Sequence, residues 1–439
     1  PQGYLTKSLS RPDPFMSPPA CKRRSGRIKE TLMSRRDKHQ RFYGYTIVAA
    51  CFLIQGIGVG SFIAYGVFFP SLLEAFGWSR TMLSGASSMV LLLMGFLGIL
   101  VGALNDRFAP RIIMTVTGVI LGCSYLLLSQ LNAVWQLYLF FGLMTGIGLS
   151  SIDVIPLSTT SRWFVARRGV MTGLVKVGTG AGQLIMPLLA GVCITHLGWR
   201  AAYGIIGLIV LVSIVGAGQL LRRDPAQMGQ VPDGRNNPHG NTGSGTEDGL
   251  TFTEALRRGP FWMLWVLNLL AVASMFVIVV HIVPHASDLG IATLPAAGIL
   301  STIGGVSMLG RLSVGFAIDW IGSPKCMQIC LLILMASFIW LQIAHDVWML
   351  YAFAAIYGIA HGGIFTAISP IVAELFGIRA HGALFGIVVF GGAVGGAIGP
   401  VLAGLVFDMT RSYHLIFMAL IGLSALSFLL TLRLKPAQT

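Results

Sequence analysis

Three ionisable residues, Asp153, Lys176 and Arg311, interrupt apolar stretches long enough to cross a membrane. A charge at membrane depth costs about 2.5–3.5 kcal/mol even by the most lenient measure, so each residue needs a physical reason. A guanidinium stays charged when desolvated and can hold both oxygens of a carboxylate. Arg311 is therefore expected to bind a carboxylate in a central cavity; the alternative is a structural ion pair.

The helical rise places the three residues at one depth. Counted from the charged residues at the helix ends, Arg311 and Lys176 lie roughly 12 Å inside their segments, and Asp153 roughly 13 Å. Asp153 and Lys176 could therefore neutralise each other as a static pair. The functional alternative makes Asp153 a proton acceptor and Lys176 a second site for the anion.

The segment "HIVPHASDLG" places His281, His285 and Asp288 on one helical face, because their spacing is i, i+4 and i+7. Histidine titrates in the physiological range, so Asp288 and His281 are candidates for proton coupling. The alternative is a solvated polar cluster at the membrane–water interface.

Further polar residues could complete a binding pocket. His361, in "YGIAHGGIF", lies near the midplane of its segment and is expected either to contact substrate or relay a proton, or to be a satisfied core histidine. Gln55, Ser61 and Tyr65 share the first apolar segment; Tyr65 is a candidate contact, with ordinary helix packing as the alternative.

The composition defines the class of protein. The 439 residues are 55% hydrophobic and only 10% charged, against about 25% in soluble domains. Apolar runs of about 20 residues predict an all-α membrane protein in the lipid bilayer. Twelve transmembrane helices are expected near 43–69, 81–104, 111–130, 134–158, 168–194, 199–221, 260–285, 293–318, 326–344, 347–373, 381–407 and 413–433.

The net charge of +14 is a signal of topology and does not indicate nucleic-acid binding. Of the 30 Lys and Arg residues, three lie in loops at one side and two within spans, which leaves 25 at the other side. Positive loops remain cytoplasmic, so both termini and the central linker are expected inside, in a cell inner (plasma) membrane. Met33 opens the basic lead "MSRRDKHQRF" and is expected to be the natural start.

The two halves of the chain repeat at a spacing of 213 residues. "RGVMTGLVKVGTGAGQLIMPLLAG" aligns with "HGALFGIVVFGGAVGGAIGPVLAG", and "GALNDRFAPR" with "GFAIDWIGSP". The repeat predicts two pseudo-symmetric six-helix halves. The expected organisation is a basic disordered tail (1–40), a first half (41–221), a cytoplasmic linker (222–258), a second half (259–433) and a cytoplasmic tail (434–439).

The loop "GALNDRFAPR" resembles the signature of the major facilitator superfamily, although Ala109 stands where glycine is usual. "YGVFFPSLLEAFGWSR", "RWFVARRGVMTG" and "GRLSVGFAIDWIG" resemble the monocarboxylate and oxalate–formate transporter group. The resemblance implies an essential helix-8 arginine, here Arg311, and an acid at the end of helix 7. It also implies a gating latch, to which Asp106, Arg107, Arg111 and the repeat-related Asp319 are assigned. Helix 11 lacks the lysine of the oxalate exchangers.

The expected function is secondary transport of a small organic anion, a monocarboxylate, by proton-coupled symport with alternating access. No nucleotide-binding GxxxxGK[ST] motif, metal-ligand spacing or catalytic triad occurs, so neither an enzyme nor a cofactor is expected. The alternatives are an organic anion exchanger and, less favoured because of the cationic Arg311, a proton-driven drug exporter. A non-transporting nutrient sensor is disfavoured by the short polar tails. The protein is expected to be monomeric.

Overall fold

The computed structural model describes residues 42–164, 167–234, 250–377 and 380–434. The predicted tail 1–40, most of the tail 434–439 and linker residues 235–249 lie outside these ranges. Residues Tyr43–Thr439 belong to one compact unit, and its described part is helical without a regular β-sheet. The membrane helices are α1 (Gly44–Phe76), α2 (Arg80–Arg107), α3 (Pro110–Leu128), α4 (Val134–Trp163), α5 (168–197), α6 (199–220), α7 (Gly259–Asp288), α8 (Thr293–Ile321), α9 (Ser323–Leu341), α10 (Val347–Phe376), α11 (His381–Thr410) and α12 (His414–Leu432).

The predicted twelve-helix fold is confirmed. Eleven helices in the described residues are long and apolar enough to cross a membrane, and the longest runs from Arg168 to Leu220. Gly198 divides that helix into α5 and α6 with φ 78° and ψ 162°, a conformation that glycine adopts without steric cost. Several helices run past their predicted ends, α1 to Phe76 and α8 to Ile321, because an apolar window detects the lipid-facing stretch and misses polar turns beyond it.

Corresponding helices pack alike in the two halves. The helix pairs α1·α5, α2·α4 and α3·α6 of the first half recur as α7·α11, α8·α10 and α9·α12 of the second. Small residues make the closest of these contacts: a Cβ at Gly56 of α1 would lie 2.9 Å from the carbonyl oxygen of Gly178 on α5. In α11, a Cβ at Gly399 would lie 2.6 Å from the Ala273 carbonyl oxygen on α7. Glycine is needed where helix backbones approach this closely.

The halves meet at one end of the bundle and part at the other. We call the end where α1 and α7 begin and α12 ends the linker end, and its opposite the far end. Towards the far end, α5 and α8 interlock, so that a Cβ at Gly304 would lie 2.5 Å from the Gln183 side chain. Nearer the linker end, a Cβ at Gly173 or Gly315 would meet no described atom within 4 Å. Helices α5 and α8 therefore lose contact towards the linker end, and we call the space between them, into which the side chains of Lys176 and Asp153 are 40% and 51% exposed, the opening.

Candidate functional site

Arg311 lies where α5 and α8 part. Its Nη1 donates a hydrogen bond to the backbone carbonyl oxygen of Lys176 at 3.1 Å. Its Nε is buried and has no hydrogen-bond partner among the residues that the structure describes. An unmatched buried N–H is costly, and a carboxylate entering from the open end could accept its hydrogen bond.

Asp153 and Lys176 meet, as their matched depths predict. Lys176 Nζ lies 2.6 Å from Asp153 Oδ1, and the two side chains are 40% and 51% exposed. Both reach the opening between the halves while lying at membrane depth. Two cations and one acid, contributed by α4, α5 and α8, therefore line the inner limit of the opening.

Gln55 of α1 joins this cluster in a way that its position in the sequence did not predict. Its Nε2 donates to Asp153 Oδ1 at 2.7 Å and to the Ile152 carbonyl oxygen at 2.9 Å. Its Oε1 accepts from the Thr179 hydroxyl of α5 at 2.9 Å. The one signal of this role in the sequence is that Gln55 is a polar residue deep in an apolar run. That signal does not identify its hydrogen-bond partners.

His361 of α10 is buried beside the same cluster. Its Nδ1 lies 3.4 Å from the Tyr357 hydroxyl, while its Nε2 has no hydrogen-bond partner within the described part of the chain. The next residue, Gly362, packs directly on α8, where a Cβ would lie 3.0 Å from the backbone nitrogen of Arg311. His361 of α10 and Arg311 of α8 thus lie at the same level of two helices that pack against each other.

Asp288 lies at the far end, in a second polar cluster that is centred on Arg80. Arg80 Nη2 lies 2.6 Å from Asp288 Oδ1, and Nη1 donates to the Tyr413 hydroxyl at 2.5 Å. The backbone N–H groups of Arg80 and Thr81 donate to the Asp408 carboxylate at 3.1 and 3.0 Å. These contacts join α2 of the first half to α7, α11 and the residue that precedes α12 in the second. Asp288 is thus engaged by Arg80, whereas Arg311 donates to the Lys176 carbonyl oxygen.

His281 lies directly beneath this far-end cluster and is buried. Its Nε2 lies 2.9 Å from the Pro400 carbonyl oxygen and 3.0 Å from Ser84 Oγ, while Nδ1 lies 3.0 Å from the Tyr413 hydroxyl. A carbonyl can only accept, so Nε2 carries a proton and Nδ1 accepts from Tyr413. Burial raises the pKa of the Tyr413 hydroxyl, which therefore keeps the proton that it donates.

Tyr65 lies apart from the cation cluster. Its hydroxyl donates to the Leu83 carbonyl oxygen at 2.9 Å, and its ring stacks on Phe141 at a centroid distance of 4.0 Å. Phe141 belongs to a π-helical stretch of α4, Tyr138–Thr145. Tyr65 is buried in the closed far side of the bundle in this conformation, and its role as a substrate contact stays a prediction.

The predicted gating residues lie at the linker end. Arg107, Arg111 and Asp319 are exposed and form no ion pair with another described residue. The side chain of Asp106 lies outside the described part of the structure. The latch assigned to this loop stays a prediction.

Helical bundles with this packing define a class of multi-pass membrane transporters. The family model of the Major Facilitator Superfamily matches residues 48–341 and 314–439, and the chain belongs to that family. It is 27% identical over 373 residues to monocarboxylate transporter 13 of Bos taurus, with 84% of each chain covered. It is 25% identical to monocarboxylate transporter 4 of Gallus gallus, covering 85% of this chain and 79% of that one.

A bacterial relative and a solved structure extend this comparison. The uncharacterized MFS-type transporter YcxA of Bacillus subtilis is 26% identical over 387 residues, covering 85% of this chain and 91% of that protein. A bacterial homologue of the human lysosomal transporter Spinster, solved in an inward-facing, unoccupied conformation, matches with a TM-score of 0.65. At 15% identity over 90% of this chain and 95% of that one, this match shows the fold alone. The chain is a membrane transporter and not an enzyme.

Proposed function

We propose that the protein is a proton-coupled symporter of a small monocarboxylate that works by alternating access. The observation that carries the proposal is the half-buried Arg311 side chain at the inner limit of the opening, whose buried Nε has no hydrogen-bond partner among the described residues. Arginine suits this task because its planar fork matches both carboxylate oxygens. The likeness to monocarboxylate transporters supports the same substrate class.

The charges of the cluster favour a monoanion and a proton as joint cargo. Arg311 and Lys176 carry two positive charges and Asp153 one negative charge, so the empty site has a net charge of +1. The Asp153 carboxylate competes with an entering carboxylate for Lys176, because it lies 2.6 Å from that ammonium group. Protonation of Asp153 releases Lys176 to the substrate, and the two ligands then assist each other's binding.

Asp153 is the preferred proton acceptor, ahead of Asp288 and His281. Asp153 is half-exposed in the opening beside both cations, whereas Asp288 is engaged by Arg80 at the far end. His281 donates to a carbonyl and accepts from Tyr413, so its two nitrogens are already used. We assign these two residues to closure of the far end, and His361 to contact with the substrate beside Arg311.

We further propose that the linker end faces the cytoplasm of a plasma (inner) membrane. The concentration of Lys and Arg in the tails and linker supports this orientation. The opening at the linker end would then face inwards, and both termini would be cytoplasmic.

Uptake into proteoliposomes tests the proposal. Purified protein should accumulate a labelled small carboxylate when the outside is more acidic than the lumen, and the lumen should acidify in step. The matched control is the Arg311→Gln protein. Uptake that ignores the pH gradient but requires internal anion would replace the symporter with an organic anion exchanger.

A further inference from the structure

The buried amide of Gln55 has only one orientation that satisfies its neighbours. Nε2 donates to the Ile152 carbonyl oxygen and to Asp153 Oδ1, and Oε1 accepts from the Thr179 hydroxyl. A flipped amide would place Oε1 against two other acceptors. Gln55 therefore offers Asp153 a donor whose position three helices determine.

Asp153 Oδ1 has two donors, and they differ in mobility. Lys176 Nζ sits on a long flexible stem and its side chain is 40% exposed, so it can turn towards an arriving anion. Gln55 has 0% exposure and is held by Thr179. When Lys176 moves to the substrate, Gln55 is the donor that stays with Asp153.

Few other groups act on the Asp153 carboxylate. The charged residues that act on it are Lys176 and, at longer range, Arg311. Helices α2 and α3 present uncharged residues to this stretch of α4. Gln55 and Lys176 contact Asp153 itself, whereas Gly98 of α2 and Thr117 of α3 lie against its neighbours Val154 and Ser151.

The repeat supplies a natural comparison for Gln55. Its counterpart at the 213-residue spacing is Asn268 of α7, whose Nδ2 donates to the Val388 carbonyl oxygen of α11 at 2.8 Å. The positions that align with Asp153 in the second half are Thr366 and Ala367, and neither is ionisable. A buried amide at this place thus serves helix packing in both halves, and only in the first half does it reach an acid.

We propose that Gln55 is a positioning residue that holds the Asp153 carboxylate in place while Lys176 engages the substrate, and thereby sets the pH range of coupled uptake. The proposal rests on the proposed function of Asp153 as proton acceptor. A neutral N–H donor stabilises a carboxylate more than a carboxylic acid. Loss of the donor should therefore let Asp153 keep its proton to a higher pH.

The test is the pH profile of uptake by Gln55→Met protein. The pH at which uptake falls to half should rise by about one unit. Gln55→Glu preserves the size of the side chain and should raise the same midpoint further, because two adjacent carboxyl groups share a proton. The matched control, Asn268→Leu, should keep the wild-type midpoint. A purely structural role would lower the uptake rate at every pH without moving the midpoint.

The Asp153→Asn background separates this proposal from the proposed function. If Asp153→Asn retains the wild-type profile, the proton site is wrongly assigned, whatever the Gln55 variants do. If Asp153→Asn abolishes the pH dependence while both Gln55 variants keep the wild-type midpoint, the positioning role alone is overturned. In the supporting outcome, Gln55→Met moves the midpoint of uptake in the wild-type protein, and it leaves the pH profile of substrate exchange unchanged in Asp153→Asn protein.

Discussion

Arg80 of α2 and Asp288 of α7 form a 2.6 Å ion pair that joins the two halves at the far end. The Arg80 guanidinium also lies 3.8 Å from the centroid of the Phe407 ring, and its backbone N–H binds Asp408. Beneath it, the rings of Phe62 and Phe276 meet across the halves at 6.3 Å. Arg80, its partners and this aromatic contact therefore help to close the end opposite the opening, and these contacts must break when the transporter reverses its access.

Asp288→Asn should favour the conformation that is open at the far end. Asp288 is 38% exposed, so its pair with Arg80 is expected to contribute only about 1 kcal/mol, or roughly a fivefold change in population. Spin labels are placed at Asn132 and His345, which are exposed far-end residues of the two halves. In the Asp288→Asn protein, a larger fraction of the measured label-to-label distances should be long. Asp346→Asn, a nearby exposed acid, is the control. Equal distance distributions in the two variants would remove Asp288 from the closure.

Arg311→Lys should lose at least about tenfold in uptake although the charge is kept. A lysine ammonium is a point charge that cannot bind both carboxylate oxygens or preserve the contact with the Lys176 carbonyl oxygen. Uptake normalised to folded protein measures the loss, and Arg200→Lys in the first turn of α6 at the far end is the control. A well-folded Arg311→Lys protein with the wild-type rate would contradict the substrate role.

Asp153 and Lys176 should show energetic coupling in a double-mutant cycle. Asp153→Asn or Lys176→Gln alone leaves one charge without its partner at membrane depth, so the doubly neutral protein should be more stable than either single variant. The coupling energy should be about 1 kcal/mol, because both side chains are substantially exposed. Thermal unfolding in detergent measures it, and strictly additive losses would show that the pair contributes nothing.

Proton coupling should be lost in Asp153→Asn protein and kept in Asp288→Asn protein. The asparagine cannot release a proton, so gradient-driven accumulation should vanish in Asp153→Asn protein. Exchange of labelled for unlabelled substrate should continue, because exchange never requires the empty carrier to reorient. Both assays use the same proteoliposomes. The reverse result, with accumulation lost only in Asp288→Asn, would move the proton site to α7.

Gly56→Ala should destabilise the contact between α1 and α5. The new Cβ would lie 2.9 Å from the Gly178 carbonyl oxygen, and separating the two backbones should cost about 1–3 kcal/mol. Gly204→Ala is the matched control, because a Cβ there meets no described atom within 4 Å. The melting temperature of the Gly56 variant should fall while that of the control stays within a degree or two of the wild type.

The sequence by itself determined the membrane class, the twelve spans, the repeat and the common depth of Asp153, Lys176 and Arg311. These properties follow from local quantities: the length of an apolar run, the fixed rise of a helix and an unchanged spacing between two segments. The contact between Asp153 and Lys176 was predictable for the same reason. When two residues lie at one depth on neighbouring helices, whether they meet depends only on the rotation of each helix about its axis.

Only the tertiary structure decided which side chains share a hydrogen bond and which end of the bundle is open. Gln55 reaches Asp153, and Arg80 reaches Asp288 across the halves, through helix rotations and packing distances that depend on residues nearly 100 and more than 200 positions apart. The same packing engages Asp288 at the far end, away from Arg311, although the resemblance implied an acid at the end of helix 7 that works with the helix-8 arginine. Depth along a helix is a property of one segment, whereas the direction in which a side chain points is determined by every helix that packs against it.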